Sequence, residues 1–428
     1  MKRAWFLISI GVLCLVLALV TGRDLFYNLV YLIGAILVFS LFWAWNGVTS
    51  VQIARRTRSR RSAVGKTAEE SLTVRNTGLL PKVWLQVHDH SNLPFHRISQ
   101  VVNALPPRRQ RNWAVRTICR RRGQFTLGPM TLSSGDPFGL FRFQRQLRPT
   151  SSIVVYPAVI SIPSFSPPLG QLPGGDAVRR RTHYITTNVS GVRDYEPGDS
   201  FNRIHWRSTA RRERLIVKEF ELDPTADIWI FPDMNRRVQY SLPLPEEEPE
   251  DPLIAILRGH RRPDIELDPS TEEYIVAIAA SVTQHFVHRD RTVGMIAYGE
   301  NREVIQPDRG HRQLTKILET LAMIQAAGNV PLPYVLLNEG QQLGRGVTLV
   351  VITPEMDMTW IAASRDLMRR GISIIAVVID PTGFGGRGDP QSIITELYLS
   401  RIPAYLVHIG DDLAHALSHQ SLLSPRSA

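Results

Sequence analysis

Residues 191–222 read GVRDYEPGDSFNRIHWRSTARRERLIVKEFEL and concentrate more potential chemistry than any other stretch of the chain. Asp194, Glu196 and Asp199 are acids, His205 is a base and Arg203 is a cation, all within twelve positions. Such a set can move protons around a bound substrate. The same residues can instead form an ion-pair lattice, because charge-assisted Arg–carboxylate bonds need no substrate. No nucleophile with a base placed beside it is legible here, which favours the lattice. On that reading Asp199 or Ser200 caps a short helix, Arg203 and Arg207 share one of its faces at i, i+4, and a buried Trp206 with Arg203 and Arg211 braces the junction between two domains.

A second candidate lies just downstream. The apolar run ADIWIFPDM reads as a buried strand ending at Asp233, with Asn235 and Arg237 following, and a later strand VTLVVITP ends at Thr353-Pro354-Glu355. The order of these C-terminal elements resembles the von Willebrand factor A fold, and that resemblance implies a divalent-cation site at these strand ends, where a hard cation requires clustered oxygen ligands. One carboxylate, one amide and a guanidinium make a poor set, because Arg237 would bring positive charge to where the ion sits. Asp233 and Asn235 are therefore expected to cap their own loop, with no cofactor and no divalent cation bound.

The elements that must position these residues begin with a membrane hairpin. Two uncharged runs, WFLISIGVLCLVLALV from Trp5 and LFYNLVYLIGAILVFSLFWAW from Leu25, are separated only by TGRD. At 1.5 Å per residue the first reaches about 24 Å and the second about 32 Å, against a hydrocarbon core of about 30 Å. Trp5, Trp43 and Trp45 suit the interfaces. A cleaved signal peptide fits less well, since a second apolar run follows at once and Ala18-Leu19-Val20 lacks a small residue beside the cut. Lys2 and Arg3 before the hairpin and Arg55, Arg56, Arg58, Arg60 and Arg61 after it outweigh Arg23 in the turn, which places both termini in the cytoplasm of a two-helix, multi-pass protein of the cell membrane.

The formal charge of +11 is unevenly spread: residues 51–150 carry 19 Lys and Arg against 4 Asp and Glu, whereas residues 151–428 carry 28 against 34. The basic segment is thus juxtamembrane: a simply solvated face accounts for it as well as attraction to anionic headgroups, at about 1 kcal/mol per cation, does. Nucleic acid is disfavoured, because no aromatic-basic module is legible. Only Cys14 and Cys119 are present, too few for a disulfide framework or a cysteine metal site. No GxxxxGK[ST] loop occurs, so ATP chemistry would have to come from a partner.

Short alternating stretches such as SLTVRN, VWLQVHDH, NWAVRTI and SSIVVYP, punctuated by Gly, Pro and Asn, predict a β-sandwich-like middle domain. Beyond Asp223 strands and helices alternate as in a doubly wound α/β sheet. A helix through EEYIVAIAASVTQHFVHRD should open with Ser270 and Glu273 as a capping box. The acidic, Pro-rich SLPLPEEEPEDP reads as a flexible insertion. The divisions expected are a hairpin over 1–50, a basic β-rich domain over 51–160, a linker with the central motif over 161–222, the α/β domain over 223–418 and a tail over 419–428.

Two resemblances sharpen this reading. The order of the C-terminal elements resembles the von Willebrand factor A fold, whose first strand delivers Asp-x-Ser-x-Ser to a cation; here those positions are Asp233, Asn235 and Arg237. The central stretch resembles an uncharacterised bacterial family known as domain of unknown function fifty-eight, through Gly198, Asp199, Arg203, Ile204, Trp206, Ala210 and Arg211, with His205 inside the same signature. The DPFGLF run at 136–141 and Tyr156-Pro157 are similar to that family's upstream pattern. The sequence itself reads as a membrane-anchored, cytoplasm-facing adaptor or scaffold rather than an enzyme, and what the resemblance implies is a partnership with a MoxR-type AAA+ ATPase, often beside a transglutaminase-like membrane protein, in the assembly or maturation of other proteins. The alternative is an enzyme acting on cell-envelope material through Asp194, Glu196, Asp199 and His205. The Lys/Arg asymmetry generates the first prediction: a reporter active only outside the membrane, fused after Ala428, should stay silent, and strong external activity would invert the topology.

Overall fold

The computed structural model describes residues 2–148, 150–165, 189–195, 204–220, 227–243 and 267–419. Most of the acidic insertion, from residue 244, and the tail beyond residue 419 lie outside the described residues.

Helices α1 (Lys2–Thr21) and α2 (Asp24–Thr49) form the N-terminal hairpin, and both are long and apolar enough to cross a membrane. Their outer faces leave Trp5, Phe6, Val20, Leu32 and Val38 exposed. Gly22 turns the chain between them at φ +65°, a conformation that costs a residue without a Cβ nothing.

The chain then runs through short strands in three sheets. β1 (Val51–Thr57), β3 (Thr67–Asn76) and β6 (Gln110–Ile118) pair antiparallel in the order β1-β3-β6. β4 (Lys82–Asp89), β5 (Gln100–Leu105), β8 (Met130–Gly135) and β9 (Arg142–Leu147) form a four-stranded sheet, β5-β4-β8-β9. β2 (Arg61–Ala63), β7 (Gly123–Leu127) and β10 (Ser151–Tyr156) form a third, in the order β2-β10-β7. The period-two alternation of β3 turns Leu72 and Val74 inward, where they meet Leu85, Val87, Val102, Met130 and Leu132 of the four-stranded sheet in one core. Val48 at the end of α2 enters the same core. The hairpin is further fixed by the Ser40 hydroxyl, which donates to Asp136, and by the buried Lys82 ammonium, which donates to the Asn46 carbonyl.

The C-terminal sheet has the order β15-β14-β13-β16-β17-β18, from β13 (Ile228–Pro232), β14 (Val293–Tyr298), β15 (Arg302–Asp308), β16 (Thr348–Thr353), β17 (Ser373–Ile379) and β18 (Ala404–Val407). All pairs are parallel except the β14–β15 hairpin at one edge. The buried strands read as continuous apolar runs, as expected where helices cover both faces. One face carries α4 (Thr271–Val287) and α5 (Gly310–Met323); the other carries α6 (Leu332–Gly340), α7 (Thr359–Arg369) and α8 (Pro390–Leu399). A short α9 (Leu413–Ala416) closes the described chain on the α4 side. Helix α6, bounded by Pro331 and Gln341, adds an element that no apolar period announces.

The two folded bodies share one core. Helix α4 is buried nearly all round, and its core is continuous with Val64, Cys119, Leu127, Ile153 and Val155 of the β-rich segment and with Ala158, Ile162 and Phe165 of the strap that leaves it. The expected capping box does not form. Ser270 occupies the N-cap position without a side-chain cap bond, and Glu273 is drawn to Arg122 of the β-rich segment instead. Arg122 also pairs with Glu272 at 2.6 Å and donates to the Ile324 carbonyl at 2.9 Å, while its own side chain is only 5 % exposed. A charge-assisted clamp on a buried guanidinium outcompetes a cap that water could replace. Residues 51–165 and 227–419 should therefore unfold in a single denaturant transition in detergent. Arg122→Ala should lower its midpoint by about 2–3 kcal/mol, less than a fully buried pair because the glutamates are partly exposed. Two separated wild-type transitions would contradict the shared core.

Candidate functional site

The central motif folds as a small strand–helix–strand unit. β11 (Val189–Asp194) pairs antiparallel with β12 (Ile216–Phe220), and α3 (Trp206–Arg212) lies between them in sequence. Ile204 is buried and bridges to Val217, which pins the chain just before the helix. His205 is the N-cap of the described helix, its Nδ1 accepting from the Ser208 backbone N–H at 3.2 Å and lying 2.7 Å from the Ser208 hydroxyl, while the expected caps Asp199 and Ser200 lie outside the described residues. The His205 N–H donates to Ile216 O at 2.8 Å and the Ile216 N–H to the Thr209 hydroxyl at 3.1 Å, closing the unit on itself. Asp194 pairs with Arg214 at 2.9 Å on the surface, both more than half exposed. Glu196, Gly198, Asp199 and Arg203 lie outside the described residues.

One expectation is overturned here. Trp206 is 66 % exposed, not buried, and Ala210 and Arg211 are exposed beside it. The reason lies in the unit's size: with seven residues, α3 covers no core and buries none of its side chains. The contact between the two larger bodies is made instead by Arg122, the strap 156–165 and α4. Val192 and Leu215 are also partly exposed on the same unit.

Asp233 sits at a different kind of position. In an open α/β sheet the crevice forms where neighbouring strands send their connections to opposite faces. β13 leads to α4 on one face and β16 to α7 on the other, and the C-terminal ends of these adjacent strands carry Asp233 and Thr353. Asp233 accepts from the Asn235 backbone N–H at 3.1 Å and from the Thr353 hydroxyl at 2.7 Å, and Thr353 in turn accepts from the Glu355 N–H at 2.9 Å. Asn235 caps the Arg237 N–H at 3.1 Å, and the Arg237 side chain is exposed. Gly328 lies against this loop: a Cβ there would fall 2.0 Å from Tyr298 O and 2.9 Å from Met234 O, so no other residue allows the bridge between Asn235 and Gly328. A narrow pocket lined by Phe231, Asp233, Tyr298, Leu332 and Val335 opens beside it. Burial pushes the Asp233 carboxyl up to about 6, with Glu355 acting in the same direction and the Thr353 and Asn235 hydrogen bonds against it.

A third polar group escaped sequence reasoning because its members are far apart in the chain. Arg55 donates to Glu70 and lies 3.0 Å from Asp89, His96 Nε2 lies 2.8 Å from Glu70, and His96 Nδ1 lies 2.9 Å from the Thr117 hydroxyl. The four ionisable side chains are at most 4 % exposed. Burial alone would raise the Glu70 carboxyl, but His96 and Arg55 hold it below the usual range. Arg55 is therefore a buried partner and not one of the juxtamembrane cations facing headgroups. The inward register of β3, which carries Glu70 between Ala68 and Leu72, was the available signal.

Residues 191–248 match a family described as a protein of unknown function, DUF58. The uncharacterized protein YeaD of Bacillus subtilis (strain 168) is 20 % identical over 239 residues, which cover 55 % of this chain and 51 % of that protein. The match thus spans about half the length of that curated relative. Among solved structures, a CARDB domain from Pyrococcus furiosus is 15 % identical, with a TM-score of 0.19 over 24 % of this chain and 91 % of its own. The open form of the pilus adhesin SpaC from Lactobacillus rhamnosus GG is 9 % identical, with a TM-score of 0.30 over 46 % of this chain and 29 % of its own.

The Asp233 carboxyl generates a signed pH prediction. Its folded value lies above its unfolded one, so its contribution to stability is complete below about pH 4 and is lost as pH rises through about 6. Asp233→Asn removes that loss and should stabilise the protein at pH 7 by roughly 1–3 kcal/mol, the lower end reflecting a weakened bond to Thr353 or Asn235. At pH 4 the gain should vanish. Denaturant titrations at the two pH values check this, and a gain independent of pH would contradict it. The full chain should show no thermal shift in millimolar Mg²⁺, since mass action stabilises only a state that binds.

Proposed function

We propose that this chain is a membrane-anchored adaptor, facing the cytoplasm, that presents its central motif to a MoxR-type AAA+ ATPase and so takes part in the assembly or maturation of other proteins. The observation that carries this reading is the exposure of Trp206 at 66 %. A large exposed aromatic gains nothing for the fold, whereas Trp is enriched among the few residues that dominate protein–protein affinity. Its neighbours Val192, Leu215 and Arg211 give the same surface an apolar centre and a basic rim.

The remaining architecture fits such a role. The sheet order, with its single antiparallel edge strand and a first strand at the centre, supports a von Willebrand factor A-like reading of the C-terminal domain, in which the crevice at Asp233 is a degenerate cation site. The two facing sheets of the middle segment support a β-sandwich. The hairpin would hold both against the cytoplasmic face of the membrane. The transglutaminase-like membrane protein remains a proposed neighbour in the same assembly. An enzyme working through Asp194, Glu196, Asp199 and His205 has less support, because His205 Nδ1 is spent on a helix cap and Asp194 on an exposed ion pair with Arg214.

Trp206→Ala should leave the unfolding free energy within about 0.5 kcal/mol of wild type, as exposed substitutions do. Its affinity for the purified MoxR-type ATPase, measured with the full chain in nanodiscs, should fall roughly 30-fold or more, the loss typical of a hot spot. Undiminished binding by the variant would reject the adaptor surface. Loss of function in His205→Ala with full stability and full ATPase binding would favour the enzyme.

A further inference from the structure

The run Asp136 to Phe141, the turn between β8 and β9, is not used by any of the sites above, yet it is tied to the membrane hairpin as well as to the body it belongs to. The Asp136 carboxylate accepts from the Ser40 hydroxyl of α2 and from the backbone N–H groups of Phe138 at 3.0 Å and Phe141 at 2.6 Å. This folds the run into a tight turn whose base is buried against α2 and whose tip, Pro137 to Gly139, is exposed. Gly139 comes close to α1 as well: a Cβ built on it would lie 3.5 Å from the Arg3 guanidinium. Phe138 at the tip is 53 % exposed, and Leu140 packs inward.

The depth of this turn follows from helix geometry. From the Gly22 bend, Arg3 lies about 27 Å along α1 and Ser40 about 24 Å along α2, at 1.5 Å per residue. A hydrocarbon core of about 30 Å that begins at the charged Arg23-Asp24 end finishes close to those two levels. Thr49 ends α2 about 38 Å from the bend, roughly 8 Å beyond the core. The β-rich segment therefore hangs back along α2 toward the bilayer. Trp5 and Trp43 lie at about the same height as Ser40, where aromatic side chains prefer the boundary between headgroups and acyl chains. Arg142, whose guanidinium stacks over Trp84 at 5.4 Å, and Arg145, which reaches the Thr49 carbonyl at 3.5 Å, are exposed just above, at headgroup height.

We infer that the Asp136–Phe141 turn is a third membrane contact, with Phe138 inserted among lipids at the cytoplasmic boundary and Arg142 and Arg145 facing anionic headgroups above it. The inference rests on the membrane-spanning reading of α1 and α2. The Ser40–Asp136 bond is then a positioning contact: it fixes the insertion depth of the turn and, through β8 and β9, the tilt of the whole body over the bilayer.

The test uses the full chain with Cys14 and Cys119 replaced by Ala, carrying an environment-sensitive fluorophore at Phe138→Cys or at Leu32→Cys. The protein is reconstituted into phosphatidylcholine–phosphatidylglycerol vesicles containing lipids spin-labelled near the headgroup or near the chain end. At position 138 the emission should be shifted to the blue and quenched more by the shallow label than by the deep one. At position 32, about 12 Å along α2 and near the bilayer centre, the deep label should quench more. Asp136→Ala should reduce the shallow quenching at 138 and leave position 32 unchanged. Quenching at 32 with none at 138 would overturn the insertion of the turn alone. Absence of lipid quenching at 32 would overturn the spanning reading and the inference with it.

Discussion

The structure depends on the burial of one helix on every side. Between Thr271 and Val287, Tyr274, Ile275, Val276, Ile278, Val282, Phe286 and Val287 point in all directions around the axis and all are buried. A helix without a polar face is stable only where protein surrounds it. The parallel sheet covers one side of it, and the β-rich segment with its strap 156–165 covers another. The polar residues of the helix are satisfied within that packing. Ser281 donates to Ala277 O at 2.7 Å and accepts from the Ile160 N–H at 2.9 Å, while Thr283 donates to Ala279 O at 2.6 Å. His285 donates through Nδ1 to Ile162 O at 2.9 Å, and burial lowers its pKa. Removing the β-rich segment would expose this surface.

That constraint determines how position is transmitted. α2 enters the core of the β-rich segment through Val48, this segment grips α4 through Arg122, and α4 lies under the sheet that ends at Asp233. The chain of contacts is continuous from the hairpin to the α/β domain. The central motif stands apart in kind, as a small unit held by its own hydrogen bonds with an aromatic left in solvent. A rigid mount carrying an exposed recognition element is what an adaptor requires, and the proposed function follows from that contrast.

Much of this was legible in the sequence wherever the signal is local. Two uncharged runs separated by four residues announce the hairpin, and the apolar runs ending at Asp233 and Thr353 announce strands, which the structure pairs side by side. What escaped was set by non-local pairing. Ser270 and Glu273 have capping-box spacing, but Arg122, some 150 positions earlier, claims the glutamate. Arg55 looks like one more juxtamembrane cation until Glu70, Asp89 and His96 close around it. Trp206 carries the chemistry of a core residue, and only the smallness of the element bearing it leaves the ring in water. Helix Leu332–Gly340 is short, flanked by Pro and Gly, and gives no sustained period to read.

The central claim, that the motif surface around Trp206 meets an ATPase partner, is tested most directly by placing a photoreactive phenylalanine analogue at position 206 of the chain with its N-terminal hairpin intact and irradiating living cells. The account predicts a single dominant adduct with a MoxR-type AAA+ ATPase, lost when that ATPase is deleted and undiminished when the same probe is accompanied by Asp233→Asn. A cell in which the probe-bearing protein is functional and abundant but yields no ATPase adduct would contradict it.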